Sequence, residues 1–266
     1  MLISSLSNPR VKQIRALRQR KERETTGQYF VEGIRIVTEA AQLHAGIETL
    51  VVAPELLKSA HALELVAAQR LKGVPVLEVS REVFASLSSR EGPQGLGAVL
   101  RQRLELLEQV TPGGELCWVA LDAAHDPGNI GTILRTSDAV GGAGLILLGN
   151  AADPYDPAAV RASMGALFAQ RVVRADWDVF AAWKHQHGAT VVGTSDKAEQ
   201  EYRAAAYPSP LVLLMGSERE GLSPAQQAVC DRMVRIPMVG RSDSLNLAVA
   251  AAVVLYEAFF QRGNTS

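Results

Sequence analysis

Hydrophobic and polar positions along this chain follow two regimes. Up to about residue 101, short apolar runs alternate with stretches whose apolar residues recur every three or four positions, the marks of half-buried strands and amphipathic helices. Strands are expected at Gln28–Glu32, Ile47–Ala53, Val74–Val79 and Gly95–Arg101. Helices are expected at Gly33–His44, on Ile34, Val37, Ala40 and Ala41, and at Leu56–Leu71. Ser80 should cap a short helix holding Val83, Phe84 and Leu87. Ser7-Asn8-Pro9 is a helix start, a cap residue followed by Pro in the first turn, and that helix should run to about Arg23 on a thin stripe of Val11, Ile14 and Leu17.

From Leu116 the runs become almost wholly apolar, as in parallel strands covered on both faces. Such strands are expected at Leu116–Leu121, Leu145–Leu148, Arg171–Arg174, Thr190–Gly193, Leu211–Met215 and Val234–Ile236. Helices should lie between them at Ile130–Val140, through Val160 to Leu167, and at Val179–His187. A last helix begins near Ser244, where a Ser cap is expected, and carries Leu245, Leu247, Ala248, Val249 and Ala250. With almost no polar face, it should be buried on most sides. Between the regimes, residues 105–114 end in Thr111-Pro112-Gly113-Gly114 and read as a linker. The fold class is therefore α/β throughout, with domains at 1–104 and 115–266.

Composition narrows the partners. The chain of 266 residues is 47% hydrophobic and 21% charged, with net charge −1. No global charge points to nucleic acid, so a basic surface must be local. It is found in the first helix, where Arg10, Lys12, Arg15, Arg18 and Arg20 form a mostly one-signed run suited to phosphates. Cys117 and Cys230 have no metal-ligand spacing and fit a reduced cytoplasmic protein. The start lacks the apolar core of a secretion signal, and no run reaches the ~20 apolar residues that span a bilayer, so no membrane is expected.

Polar groups gather where the strands end. The loop His125-Asp126-Pro127-Gly128-Asn129-Ile130-Gly131 follows one strand, and Arg135 lies in the helix after it. Neither a Walker loop nor the three-glycine dinucleotide fingerprint is present, which argues against a dehydrogenase. His125 and Asp126 lack a third ligand at suitable spacing, so no metal is expected. Thr194 ends another strand, and Gly216-Ser217-Glu218-Arg219-Glu220-Gly221 forms a turn after a third. Ser244 and Asn246 stand at the mouth of the last helix.

Three blocks in order carry a resemblance: Asn129 to Thr136; Met215-Gly216-Ser217-Glu218 with Gly221-Leu222-Ser223; and Ile236-Pro237-Met238 with Ser244 to Ala250. Together they resemble the motifs of the SpoU/TrmH family of RNA ribose 2′-O-methyltransferases, of the SPOUT class. Ile3-Ser4-Ser5, Asn8-Pro9 and Phe30-Val31-Glu32-Gly33 are similar to the RNA substrate-binding domain fused ahead of some members. One departure is Ser217, where many members have Asn. The resemblance implies a trefoil-knotted C-terminal SPOUT α/β domain behind a small α/β RNA-binding domain, a homodimer through the knot, and S-adenosyl-L-methionine as donor. It implies a catalytic set of Asn129, Arg135, Glu218, Ser244 and Asn246, and a donor pocket at Thr194, Gly216, Ile236, Met238 and Leu245. The substrate class implied is RNA, with ribosomal RNA favoured over transfer RNA, the alternative being a non-catalytic RNA-binding protein of the same fold.

Overall fold

The computed structural model describes residues 2–263. They form two units, one running to Gln102 and including Tyr155–Val160, the other holding Arg103–Pro154 and the chain from Arg161 onward.

The first unit holds α1 (Pro9–Ala16), α2 (Arg20–Thr26), β1 (Gln28–Glu32), α3 (Ile34–Gln42), β2 (Ile47–Val52), α4 (Ala60–Leu71), β3 (Val76–Glu78), α5 (Arg81–Leu87) and β4 (Leu96–Arg101). The sheet order is β1-β4-β2-β3, with β4 antiparallel to both neighbours and β2 parallel to β3. Val11, Ile14 and Leu17 pack with Val51, Leu77, Val83, Phe84 and Val99 to form its core. The Ser80 hydroxyl accepts the Val83 N–H at 3.3 Å and starts α5 as expected. Helix α4 begins at Ala60 rather than Leu56, because its cap is Ser59, which accepts the Ala62 N–H.

The single basic helix expected to Arg23 is two helices. The break has a cause in Arg23, which is buried and donates from Nη1 to the Leu17 and Arg18 carbonyls at 3.0 and 2.8 Å. Those carbonyls turn toward the guanidinium instead of continuing the ladder. Arg23 Nη2 also pairs with Asp156 at 3.2 Å, and Tyr155 places its ring 4.7 Å from Tyr29. The returning segment thus supplies the counter-charge for a buried cation.

The second unit holds β5 (Leu104–Leu106), β6 (Trp118–Asp122), α6 (Pro127–Ala139), β7 (Gly144–Leu148), α8 (Ala166–Ala169), β8 (Arg171–Ala175), α9 (Trp177–His187), β9 (Thr190–Thr194), β10 (Gln200–Glu201), β11 (Leu211–Met215), α10 (Pro224–Gln227), β12 (Arg232–Arg235) and α11 (Leu247–Gly263); α7 (Pro157–Ser163) begins in the segment that belongs to the first unit and ends in the second. Every pairing in the sheet, β10-β12-β9-β11-β6-β7-β8-β5, is parallel. Strands β6, β7 and β11 are buried along their whole length, which explains their unbroken apolar runs.

Four local expectations change here. Residues 105–114, read as a linker, contain most of edge strand β5 and bury Leu107 and Val110 in the core around Trp118 and Trp183. The helix expected through Val160 to Leu167 breaks at Met164 and Gly165, both with positive φ. The last helix starts at Leu247, with Asn246 accepting the Ala248 and Val249 N–H groups at 2.9 and 3.3 Å; Ser244 is exposed and is not the cap. Helix α11 is also less covered than its composition suggests, since Val249, Tyr256, Phe259 and Phe260 are exposed while Leu247, Ala251, Val254, Leu255 and Ala258 are buried.

Candidate active site

Strands β7 and β8 continue from β6 toward one edge of the sheet, while β11 and β9 lie on the other side of β6. The order reverses between β6 and β11, and at such a point the loops leaving the strands part to form a crevice at the carboxyl edge. The loop after β6 opens α6 with Asp126, whose Oδ1 accepts the Gly128 N–H at 2.8 Å, and with Pro127 in the first turn. The loop after β11 is a tight turn closed by the Gly221 N–H on the Ser217 carbonyl at 3.0 Å. A Cβ on Gly216 would lie 2.3 Å from the Gly221 carbonyl carbon, so only glycine fits there. Ser217 serves the turn itself, its hydroxyl accepting the Glu220 N–H at 3.2 Å.

Side chains join these loops to the mouth of α11. Asn246 Oδ1 is committed to two backbone N–H groups, so its Nδ2 donates outward, to Asn129 Oδ1 at 2.9 Å. Asn129 Nδ2 then donates to Glu218 Oε1 at 3.2 Å, and the His125 N–H reaches Glu218 Oε2 at 3.4 Å. Each amide orientation follows from the one before it, ending on a carboxylate that only accepts. Asn129 is buried, whereas Glu218 and Asn246 are exposed. Burial pushes the Glu218 carboxyl up, but hydrogen bonds from the backbone around it and from Asn129 outweigh that and hold it below the usual 4.5.

The sign of this shift sets a pH dependence. A carboxylate with a depressed folded pKa adds stability that is complete above the unfolded value and is lost as pH falls through the folded one. In acid melts from about pH 5 downward, Glu218→Gln should lose less stability than the parent, read as a shallower fall in melting temperature. Equal slopes would show that the contacts to Glu218 do not favour its charged form.

Three of the five expected catalytic residues, Asn129, Glu218 and Asn246, are thus in direct contact. Arg135 and Ser244 are not part of this hydrogen-bond chain; both are exposed, and their side chains make no hydrogen bond or ion pair among the described residues. His125 contributes through its backbone, which carries no residue-type signal and could not be read from the sequence. Of the residues expected to line a donor pocket, Thr194, Gly216 and Ile236 end or follow the neighbouring strands β9, β11 and β12, and Thr194 Oγ1 contacts Met215 Sδ at 3.6 Å. Met238 and Leu245 lie on an exposed stretch, and both are 38% exposed. Residues 237–245 make no hydrogen bonds among the described residues, leaving apolar surface and free backbone groups side by side. Burial pushes the thiols of Cys117 and Cys230 up to about 12 and about 11, so neither is a ready nucleophile.

In the first unit, the five expected RNA-contacting residues divide. Arg15 donates to the Ser86 hydroxyl, Arg18 to the Ser86 and Ser88 carbonyls, and Arg20 pairs with Glu24. Arg10 and Lys12 are exposed with no side-chain partner among the described residues.

A wholly parallel sheet with a polar chain across its reversal point defines a ligand-binding α/β domain of the open-sheet class. The sequence model of the SpoU rRNA Methylase family matches residues 117–256, and that of an MRM3-like substrate binding domain matches residues 8–98. The chain belongs to the SpoU rRNA methylase family. It is 34% identical over 264 residues to the 23S rRNA (uridine(2479)-2′-O)-methyltransferase of Streptomyces viridochromogenes, covering 96% of this chain and 91% of that protein. It is 28% identical over 254 residues to the 23S rRNA (guanosine(2553)-2′-O)-methyltransferase RlmP of Bacillus subtilis, covering 96% and 97%. The crystal structure of an AdoMet-bound rRNA methyltransferase from Sinorhizobium meliloti superposes with a TM-score of 0.90 at 40% identity, covering 98% of each chain.

Proposed function

We propose that this protein is an S-adenosylmethionine-dependent RNA ribose 2′-O-methyltransferase that acts on ribosomal RNA in the cytoplasm. The observation that carries the reading is the Glu218–Asn129–Asn246 chain, which ties together the first turn of α6, the loop after β11 and the mouth of α11, where the motifs of the family to which the protein belongs lie. The donor site suits the donor's chemistry. Backbone groups at the ends of β9, β11 and β12 can meet the polar edges of an adenosine, and Met238 and Leu245 offer apolar surface to its base. Bound there, the donor would supply an electrophilic methyl group on a sulfonium.

The remaining work falls to the protein's own side chains. A ribose hydroxyl is a weak nucleophile and must be oriented and polarised. Arg135, whose side chain has no partner among the described residues, can hold the RNA phosphate next to the target ribose and donate to the hydroxyl oxygen; a guanidinium stays charged and does not act as a base. Asn129 and Asn246 fix the loops, and Glu218 anchors their hydrogen-bond direction. Ser244, exposed at the same mouth, faces ribose or phosphate. In the first unit, Arg10 and Lys12 contact phosphates.

The family's knotted path and dimer complete the reading. The chain leaves β12 at one side of the sheet and returns in α11 against α6, the passage that threading would require. The exposed Val249, Tyr256, Phe259 and Phe260 form an apolar surface of the kind a second copy covers.

The deciding experiment gives the purified protein S-adenosylmethionine with ribosomal and transfer RNA separately and maps 2′-O-methyl nucleotides. Modification of ribosomal RNA alone is expected, with calorimetric heat from donor binding and a dimer in sedimentation equilibrium. Modification of transfer RNA alone would reassign the substrate. No heat and no product would leave an RNA-binding protein without catalysis.

A further inference from the structure

The loop that leaves β6 is held at every residue from Asp122 to Asp126. The Ala123 N–H donates to the Leu148 carbonyl at 3.1 Å, and the Ala124 carbonyl accepts the Ala152 N–H at 2.7 Å. The His125 N–H reaches Glu218 Oε2 at 3.4 Å, and Asp126 caps α6. At the start of the loop, Asp122 is buried at the carboxyl end of β6, and its Oδ1 accepts the Trp177 Nε1–H at 3.0 Å. The carboxylate also lies against the turn after β7, since a Cβ on Gly149 would come within 3.3 Å of the same oxygen.

The residue after Asp122 gives this bond its importance. Ala123 has φ +46°, a left-handed conformation that a residue with a Cβ keeps only when its surroundings impose it. Beyond that bend, the N–H groups of His125 and Asp126 meet Glu218, and both favour its charged form. Trp177 is itself fixed. It opens α9, is partly buried, and meets the buried Phe180 edge to face with ring centroids 5.7 Å apart. An indole has one N–H and no acceptor, so its whole polar capacity here goes to Asp122. Trp177 lies outside the three motif blocks, on the far side of the loop from Glu218 in the hydrogen-bond order.

We propose that Trp177 is a positioning residue for methyl transfer, its indole N–H holding Asp122 so that the bend at Ala123 aims the backbone N–H groups of His125 and Asp126 at Glu218. This rests on the reading of the protein as an RNA methyltransferase. The Glu218–Asn129–Asn246 chain thereby gains a second anchor, on α9.

The test uses full-length protein, S-adenosylmethionine and ribosomal RNA, with methyl-transfer rates measured across a pH series. Trp177→Phe keeps a ring against Phe180 and removes only the N–H; a tryptophan needed for packing alone would tolerate it. It should lower kcat by roughly three- to tenfold, the equivalent of one hydrogen bond, with KM for donor and RNA unchanged. The acid limb of its rate profile should move to higher pH, because Glu218 loses contacts that favour the carboxylate. Asp122→Ala removes the acceptor and should reproduce both changes, whereas Asp122→Asn keeps an accepting oxygen and should restore most of the rate. In a Glu218→Gln background, Trp177→Phe should cost no more than about twofold, since the two act in one chain. An unchanged kcat and acid limb in Trp177→Phe, with wild-type methylation intact, overturns the positioning role alone. The same fold loss in both backgrounds overturns its route through Glu218. A wild-type protein that methylates no RNA overturns both this role and the functional reading.

Discussion

Arg135→Ala should lower methyl transfer by about 10²- to 10³-fold, the usual loss when one preorganised charge donor at a reacting oxygen is removed. Its melting temperature should stay within a degree or two, because Arg135 is exposed on α6 and its side chain makes no hydrogen bond or ion pair among the described residues. Donor binding by calorimetry should persist, since none of the proposed donor contacts involves α6. The combination is diagnostic, as a side chain that only stabilised the fold would move the melting temperature along with the rate. Arg135→Lys keeps the charge but loses the fork, and should recover only part of the activity. Full activity in Arg135→Ala would remove it from the mechanism.

Asn129→Ala has the second largest expected effect, and here stability and activity fall together. The amide is buried and takes one hydrogen bond from Asn246 while giving one to Glu218. Truncation strands both partners, at a cost of about 1 to 3 kcal/mol. It also releases the β11 loop from the mouth of α11, so kcat should fall by roughly 10²-fold through lost positioning. Asn129→Asp is the sharper arm. A carboxylate can still accept from Asn246 but cannot donate to Glu218, and would set two negative charges against each other. It should be at least as damaging as Asn129→Ala; near-normal activity in Asn129→Asp would mean that the direction of the chain does not matter.

The strands of this protein were legible because burial on both faces leaves nothing but apolar residues. Leu211–Met215 has the same limits read from the sequence and seen in the fold. Helix ends were legible where a short side chain caps them, as at Asn8 and Ser80. The failures came where tertiary groups override local pattern. Arg23 reads as one more surface cation in a basic helix, yet it is buried and divides that helix in two. Leu104–Leu106 reads as connector because an edge strand needs only one partner and a short run. Ser244 reads as the cap of α11, but Asn246 takes that place, with an amide that can cap and still reach Asn129. In the candidate site, the motif residues named Asn129, Glu218 and Asn246 without showing that they touch. Contacts between residues 89 and 117 positions apart in sequence have no local signature.

The return of Tyr155–Val160 to the first unit bears on how the protein is made. On the ribosome, residues up to Gln102 emerge with Arg23 and Tyr29 already in place, but Asp156 and Tyr155 come more than fifty residues later. Until they arrive, the ion pair to Asp156 and the ring contact to Tyr155 are missing from the unit. The order of synthesis and the order of completion therefore differ, and the unit begun first can close only after β6, α6 and β7 of the second have been synthesised.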